Sequence, residues 1–185
     1  MNFKQQYLDI AGYAVERAKR AGAAAEAYVN DTESIQVTVS ARAVEQMSAV
    51  KEAGIGVRVL RDGKMAFGST NDLSKGAVGG MVDGLVKKVV YHTADEFNVI
   101  PGPDDGGLPS AASGYEDLGS FDERVAAVPV QEKIQAALRM EAAGLDFSPK
   151  IAGSMTAIFQ DGTSSNYFAN TEGLSGWFRQ SGVGA

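Results

Sequence analysis

The stretch AGIGVRVLRDGKMAFGSTNDLS, residues 53–74, decides the fold of this chain. Apolar side chains alternate with other residues over 55–59, which is typical of a strand with one buried face. Asp62-Gly63 then indicates a two-residue hairpin, because a type I′ turn needs positive φ at both central positions. The polar end of the return strand, residues 70–74, can cap a helix. The stretch therefore predicts a strand, a tight turn, a second strand and a capped helix.

Composition excludes several classes of protein. The chain has 185 residues, a formal net charge of -6 and a pI of about 4.8, which argues against generic affinity for nucleic acid. Cysteine is absent, so disulfides and thiolate zinc sites are excluded. No stretch approaches the roughly 20 apolar residues of a membrane span, and the first residues do not resemble a signal peptide. We therefore expect no contact with a membrane.

An α+β fold is predicted from the periodicities along the chain. The first part, residues 1–92, is expected to form an antiparallel meander of about four strands packed with helices. Its predicted elements are a helix over 3–21, strands over 25–30, 34–41 and 44–51, the hairpin 55–69 and a helix over 74–91.

A change of composition follows at residues 93–128, where Pro, Gly and acidic residues are frequent. This segment is predicted to be an acidic linker or long surface loop, since its spacing does not match a calcium-binding EF-hand loop. The remaining part, 129–185, is predicted to be a second segment made of a helix and a hairpin. The helix covers 130–145, and Asp161-Gly162-Thr163 would turn between the two strands of the hairpin.

Two patterns leave alternatives open. Glycines lie inside the second helix at 76, 79, 80 and 84, and either allow close approach to the sheet or simply weaken the helix. The Asp-Gly hairpins around 62 and 161 indicate either a structural duplication or a coincidence. A final strand from residue 174 has no partner in the sequence, so we expect the chain to be the front part of something longer.

No catalytic or metal-ligating residue is predicted. His92 is the single histidine, so a helical His-Glu-x-x-His zinc site cannot form, and the position after a helix favours a capping role. Two polar clusters, Asn71-Asp72 and Asn170 with Glu172, are typical of turns and caps. These four residues are also the candidates for contacts with a substrate or a partner subunit.

The order of these segments resembles the TldD/PmbA family, also described as modulators of DNA gyrase. The resemblance is carried by Gly54–Leu60, by Phe67–Ser74 and by the turn Asn170-Thr171-Glu172-Gly173, and it covers nearly the whole chain as an N-terminal portion. It implies a cytoplasmic, dimeric metallopeptidase, either a homodimer or a heterodimer with a family paralogue, that acts on peptides inside a cavity.

The resemblance also implies where the chemistry resides. Zinc in a TldD-type subunit is held by a His-Glu-x-x-x-His motif and a later Cys in the C-terminal half, and none of these positions exists here. We therefore expect this chain to form a chamber wall and a dimer interface without a cofactor of its own. The alternatives are a stand-alone protein-interaction module, such as one that binds gyrase, and a small-molecule enzyme that uses paired carboxylates.

Overall fold

The computed structural model describes residues 5–102, 119–151 and 156–185. The helices are α1 (Gln5–Arg20), α2 (Lys75–Lys88), α3 (Glu123–Ala127) and α4 (Val130–Leu145), with a short 3₁₀ helix Val89–Tyr91 after α2. The strands are β1 (Ala24–Ser40), β2 (Ala43–Arg61), β3 (Lys64–Thr70), β4 (Thr156–Asn170) and β5 (Ser175–Gly184). The predicted α+β fold is confirmed.

The strands form one five-stranded antiparallel sheet in the order β3-β2-β1-β4-β5. The hairpin that joins β2 to β3 is the one predicted, with φ of 53° at Asp62 and 71° at Gly63. Asp62 tolerates this left-handed conformation better than most residues, and glycine adopts it without steric cost. The strands after residue 155 extend the same sheet beside β1.

Three strand predictions are wrong in their boundaries. The segments predicted as 25–30 and 34–41 are one strand, β1, and those predicted as 44–51 and 55–61 are one strand, β2. Asp161-Gly162-Thr163 is no turn, because β4 runs through it without interruption. Gly162 is required there for another reason: a Cβ would lie 2.9 Å from the carbonyl oxygen of Glu33 on β1. The turn instead follows Asn170, where a second one was predicted.

Part of the predicted linker lies outside the described residues, namely 103–118, as do residues 152–155 at the start of the predicted second hairpin. The described start of the linker lies beside the β2–β3 hairpin and forms hydrogen bonds with its turn. The backbone N–H of Asp95 donates to the Gly63 carbonyl at 2.9 Å, and the Asn98 amide donates to the same oxygen at 2.8 Å. The predicted domain boundaries at 92 and 128 stay predictions.

The chain divides into two compact units that are discontinuous in sequence. The first contains the described residues within Met1–Asp31, Ala53–Asp117 and Ser165–Phe178. The second contains those within Thr32–Glu52, Leu118–Ser164 and Arg179–Ala185. Four of the five strands contribute residues to both units.

The core of the first unit lies between helices α1 and α2 and one face of the sheet. Its buried side chains include those of Ile10 to Ala18 on one face of α1 and of Val78, Val82 and Leu85 on α2. Tyr167 of β4 is fully buried and packs edge-to-face on Tyr7, with ring centroids 5.3 Å apart. Trp177 of β5 is partly buried against this cluster.

The glycines of α2 were predicted either to allow close packing or to weaken the helix, and the structure shows one glycine of each kind. At Gly79 a Cβ would lie 2.7 Å from the Tyr13 hydroxyl, so this glycine allows α2 to approach α1 rather than the sheet. Beside it, Arg17 of α1 binds Asp83 of α2 through two hydrogen bonds of 2.8 and 2.7 Å, which lower the pKa of that carboxyl. At Gly80 a Cβ would meet nothing within 4 Å, so this glycine only weakens the helix.

This difference predicts opposite effects for neighbouring substitutions. Gly80→Ala is expected to raise the free energy of unfolding by about 0.5–1 kcal/mol, because alanine favours an exposed helical position. Gly79→Ala is expected to lower it by about 1 kcal/mol, since the added methyl group displaces Tyr13. Urea denaturation of both variants measures the difference, and equal stabilisation by both would contradict the close approach.

The second unit has a smaller core and buried charges. Val37 and Val39 of β1 pack against Ala137 of α4, and the helix covers the range predicted from its sequence. Two charged residues of the same helix, Lys133 and Glu141, are also buried, one turn to either side of Ala137.

Candidate functional site

Asn71 and Asp72 lie in the connection between β3 and α2. The Asp72 carboxylate accepts a hydrogen bond of 2.9 Å from the backbone N–H of Ser74, which lowers its pKa. Ser74 in turn caps α2 by accepting from the N–H of Ala77 at 3.3 Å. The Asn71 side chain lies against Gly54, where a Cβ would be 3.0 Å from its Oδ1. This pair therefore organises a helix start on the surface.

Asn170 organises the turn between β4 and β5. Its Oδ1 accepts hydrogen bonds of 3.0 Å from the backbone N–H groups of Glu172 and Leu174, and its Nδ2 donates to the Pro101 carbonyl at 2.9 Å. Asn170 is 8% exposed, whereas Glu172 is exposed and contributes only its backbone. Within the described ranges no hydrogen bond joins this cluster to Asn71 or Asp72.

Asn170 also borders a surface cavity of about 360 Å³ in the first unit. This cavity, here called the aromatic cavity, is lined by residues of β1, β2, β3 and β4 together with Pro101 and Leu174. Its aromatic walls are Tyr28, Phe67 and Phe168. Phe67 is 65% exposed, and its ring lies over Gly56, where a Cβ would be only 3.2 Å away. Glycine at 56 therefore makes room for one wall of the cavity.

An ion pair of opposite charges, Arg58 and Glu26, lies at this otherwise apolar surface. Arg58 of β2 lies with its Nε 2.9 Å from Glu26 Oε1, and its NH2 group donates to the Val99 carbonyl at 3.2 Å. The Arg58 Nε–H is buried and has no aligned acceptor among the described residues. The Tyr28 hydroxyl donates to Asn166 Oδ1 at 2.6 Å, and partial burial raises its pKa.

This arrangement combines aromatic, apolar walls with one ion pair. Its volume lies at the lower end of the range for ligand sites, with apolar walls and few polar groups. Aromatic walls accommodate an apolar side chain, and a guanidinium can bind a carbonyl or carboxylate group. The sequence indicated Asn170 but missed Arg58 and Phe67, whose only signal was a charged and an aromatic residue placed opposite each other in a predicted hairpin.

The second unit contains a buried ion pair. Lys133 Nζ of α4 lies 2.7 Å from Asp161 Oδ2 of β4, with side chains 3% and 6% exposed. The pair borders a cavity of about 310 Å³ that Thr163 also lines. Further along α4, Glu141 is fully buried and accepts a hydrogen bond of 2.9 Å from the backbone N–H of Arg42 in the β1–β2 turn. These contacts fasten α4 to the strands on which it packs.

Metal-ligating groups do not converge in the part of the chain that the structure describes. No group of three or more His, Cys, Asp or Glu residues lies close enough there to hold a metal ion. His92 ends the 3₁₀ helix, with its backbone N–H donating to the Val89 carbonyl at 3.2 Å. None of the helices in the described ranges has the length and apolarity to cross a membrane.

Comparison with protein families identifies both parts of the chain. Residues 25–89 match the PmbA/TldA metallopeptidase domain 1, and residues 123–185 match the central domain of the same metallopeptidases. The fold thus combines the first and central domains of a metallopeptidase. The chain belongs to the PmbA/TldD family, as the sequence resemblance indicated.

A curated relative and three crystal structures agree with this assignment. The chain is 25% identical over 177 residues to a metalloprotease PmbA homologue of Haemophilus influenzae, covering 92% of this chain and 36% of that protein. Proposed modulators of DNA gyrase from Bacteroides thetaiotaomicron and Thermotoga maritima have the same fold, with TM-scores of 0.80 and 0.71 at 21% and 14% identity. TldE from Thermococcus kodakarensis gives 0.69 at 12% identity.

The chain spans well under half the length of these proteins. It covers 39%, 38% and 37% of the three solved chains, which in turn account for 95%, 96% and 94% of this chain. The likeness to the solved structures therefore concerns the fold of this portion.

Proposed function

We propose that this chain is the N-terminal, non-catalytic portion of a cytoplasmic TldD/PmbA-type metallopeptidase, in which it binds peptides and contributes to dimerisation. Family membership supports the peptidase class, because both matched segments are domains of metallopeptidases. The observation that carries the peptide-binding role is the aromatic cavity beside Asn170, where apolar walls and the Arg58–Glu26 pair lie together.

The residues of this chain do not fit a zinc site. The whole sequence offers one histidine and no cysteine, whereas catalytic zinc takes three protein ligands drawn mainly from His, Cys and carboxylates. Carboxylates are present, but they do not gather around His92 within the described ranges. We propose that zinc of a full-length TldD-type subunit is held by the C-terminal half.

The peptide-binding role predicts different effects for two exposed phenylalanines. Phe67→Ala is expected to weaken binding of a fluorescein-labelled peptide mixture at least roughly tenfold, because it removes one aromatic wall. Phe97→Ala is the matched control, since Phe97 is 81% exposed and lies outside the cavity lining. Fluorescence anisotropy measures both affinities, and equal binding by the two variants would contradict the proposal.

The non-catalytic role has its own test. Peptide hydrolysis and zinc content are measured on the purified 185-residue chain after dialysis against zinc. We expect hydrolysis at the background rate and less than one equivalent of bound zinc. Robust hydrolysis with stoichiometric zinc would overturn the proposal.

A protein-interaction module is the second candidate function, since two structures with this fold are described as proposed modulators of DNA gyrase. The net charge of -6 favours contact with gyrase protein over contact with DNA. Titration calorimetry with purified gyrase subunits tests this candidate. Saturable binding to gyrase, together with no peptide binding at the aromatic cavity, would favour it.

A further inference from the structure

The cavity of about 310 Å³ in the second unit is lined by two ion pairs, one buried and one exposed. Lys133 and Asp161 form the buried pair described above. Glu33 and Lys51 form the other pair at 2.6 Å, with side chains 56% and 70% exposed. This cavity, here called the charged cavity, therefore has one ion pair at its base and one at its mouth.

The buried ammonium group of Lys133 has more donors than partners. It carries three N–H groups, and within the described residues only Asp161 binds them. A buried donor without an acceptor is unfavourable, because burial removes the water that would otherwise bind it. An acceptor oxygen on a molecule in the charged cavity would satisfy the remaining donors.

Stability alone does not explain the buried pair. The loss of water around two charges offsets much of their attraction, and apolar residues of similar volume often replace such a pair without loss of stability. Both residues of the pair also line the charged cavity, where they can bind charged groups of a ligand. Their position therefore favours a role in binding.

The charges of the lining favour a ligand that is neutral overall but carries both signs. Two cations, Lys51 and Lys133, and two anions, Glu33 and Asp161, line the charged cavity. A ligand with only a carboxylate would be repelled by both anions, and a ligand with only an ammonium group by both cations. An α-amino acid carries an ammonium group and a carboxylate close together, so it can bind an anion and a cation that lie side by side.

The other walls of the charged cavity are mainly aliphatic. Ile35 of β1 and Val50 of β2 line it from the strands, and Val125 of α3 lines it from the helices. None of the described residues in its lining is aromatic. Its volume lies at the lower end of the range for small-molecule sites. These features fit a single aliphatic side chain.

We propose that the charged cavity binds a free α-amino acid with an aliphatic side chain, whose carboxylate binds Lys133 and whose ammonium group binds Asp161. The charged cavity is part of the second unit, and the aromatic cavity is part of the first. The inference therefore goes beyond the proposed function, and either can fail without the other.

Four small molecules test the recognition of both charges and of the side chain. L-leucine carries all three groups, N-acetyl-L-leucine lacks the ammonium group, L-leucinamide lacks the carboxylate, and glycine lacks the side chain. Isothermal titration calorimetry is performed at a pH of about 6.5, where an α-amino group is protonated. We expect L-leucine to bind at one site per chain and the other three to bind at least roughly tenfold more weakly.

The same titrations can contradict the proposal. Absence of saturable L-leucine binding up to about 10 mM would overturn it. Equal binding of L-leucine and N-acetyl-L-leucine, or of L-leucine and L-leucinamide, would show that the two charges are not read together and would also overturn it. Equal binding of glycine would overturn the role of the aliphatic walls.

Two variants test the position of the site. Lys133→Met combined with Asp161→Val removes both buried charges, and Ala49→Trp keeps them but places an indole ring at an exposed position of the lining. Both are expected to bind L-leucine at least roughly tenfold more weakly than the wild type. Circular dichroism shows whether each variant is folded, and Ala49→Trp alone decides if the double variant is not.

Two control variants lie in the other unit. Lys19→Met changes an exposed lysine of α1, and Phe67→Ala changes the aromatic cavity. Both should bind L-leucine like the wild type, even where Phe67→Ala has lost peptide binding. Wild-type affinity for L-leucine in a folded variant of the charged cavity would overturn the proposal, and so would equal weakening by Lys19→Met.

Discussion

Replacement of Lys133 by methionine is expected to lower the free energy of unfolding by about 3–5 kcal/mol. The substitution leaves the Asp161 carboxylate without its cation in a site where both side chains are almost fully buried. A buried unpaired charge is unfavourable because neither water nor an opposite charge compensates it. Chemical denaturation in urea, monitored by the circular dichroism of the helices, measures the loss.

A double variant separates the charge effect from the packing effect. Lys133→Met combined with Asp161→Val removes both charges and places an apolar strand-forming residue in β4. We expect this variant to recover most of the lost stability, since apolar residues of similar volume often replace a buried ion pair without loss. A double variant as unstable as Lys133→Met would show that packing, and not the unpaired carboxylate, causes the effect.

Asn170→Ala is expected to lower the free energy of unfolding by about 3 kcal/mol. The amide makes three hydrogen bonds at once, two to backbone N–H groups of its own turn and one to the Pro101 carbonyl. Alanine leaves these backbone groups without partners in a largely buried turn, and the loss grows with each unsatisfied group. Thermal and urea denaturation both measure this effect.

Glu172→Ala is the matched control in the same turn. Its side chain is exposed and only its backbone N–H is used, so stability is expected to change by less than about 0.5 kcal/mol. If Glu172→Ala weakens peptide binding while stability is unchanged, Glu172 contacts the ligand and the sequence hypothesis for this residue is confirmed. If Asn170→Ala is as stable as the wild type, the hydrogen bonds of the turn contribute little.

Short sequence patterns predicted those parts of the fold whose conformation depends on residues close together in sequence. The type I′ turn at Asp62-Gly63 was predicted because its φ values depend on those two residues alone. Helix α4 was predicted residue by residue from its apolar period. The fold class followed from the periodicities of these segments, and the family followed from their resemblance to the TldD/PmbA family.

Contacts between distant segments explain what the sequence missed. Asp161-Gly162 has the composition of a hairpin turn, but Gly162 is glycine because β1 approaches it closely. Once Asp161 was assigned to a turn, nothing indicated a buried partner for Lys133. The spacing of Lys133, Ala137 and Glu141 places both charges on the buried face of α4, and this was the available signal.

For the candidate site, the sequence indicated Asn170 without the reason for its position. Its hydrogen bond to Pro101 joins residues 69 positions apart, and no local pattern encodes that separation. Arg58 and Phe67 were visible only as members of a hairpin. Their common cavity depends on β4 lying beside β1, which periodicity alone does not predict.

The central position of β1 in the sheet has a consequence for synthesis on the ribosome. β1 ends at residue 40 and its neighbour β4 begins at residue 156, so the 115 residues from 41 to 155 must be translated between them. At roughly 5–20 residues per second this takes about 6–23 s, and during this time the edge of β1 that pairs with β4 has no neighbouring strand. The nascent chain is therefore expected to depend on chaperone protection during that interval.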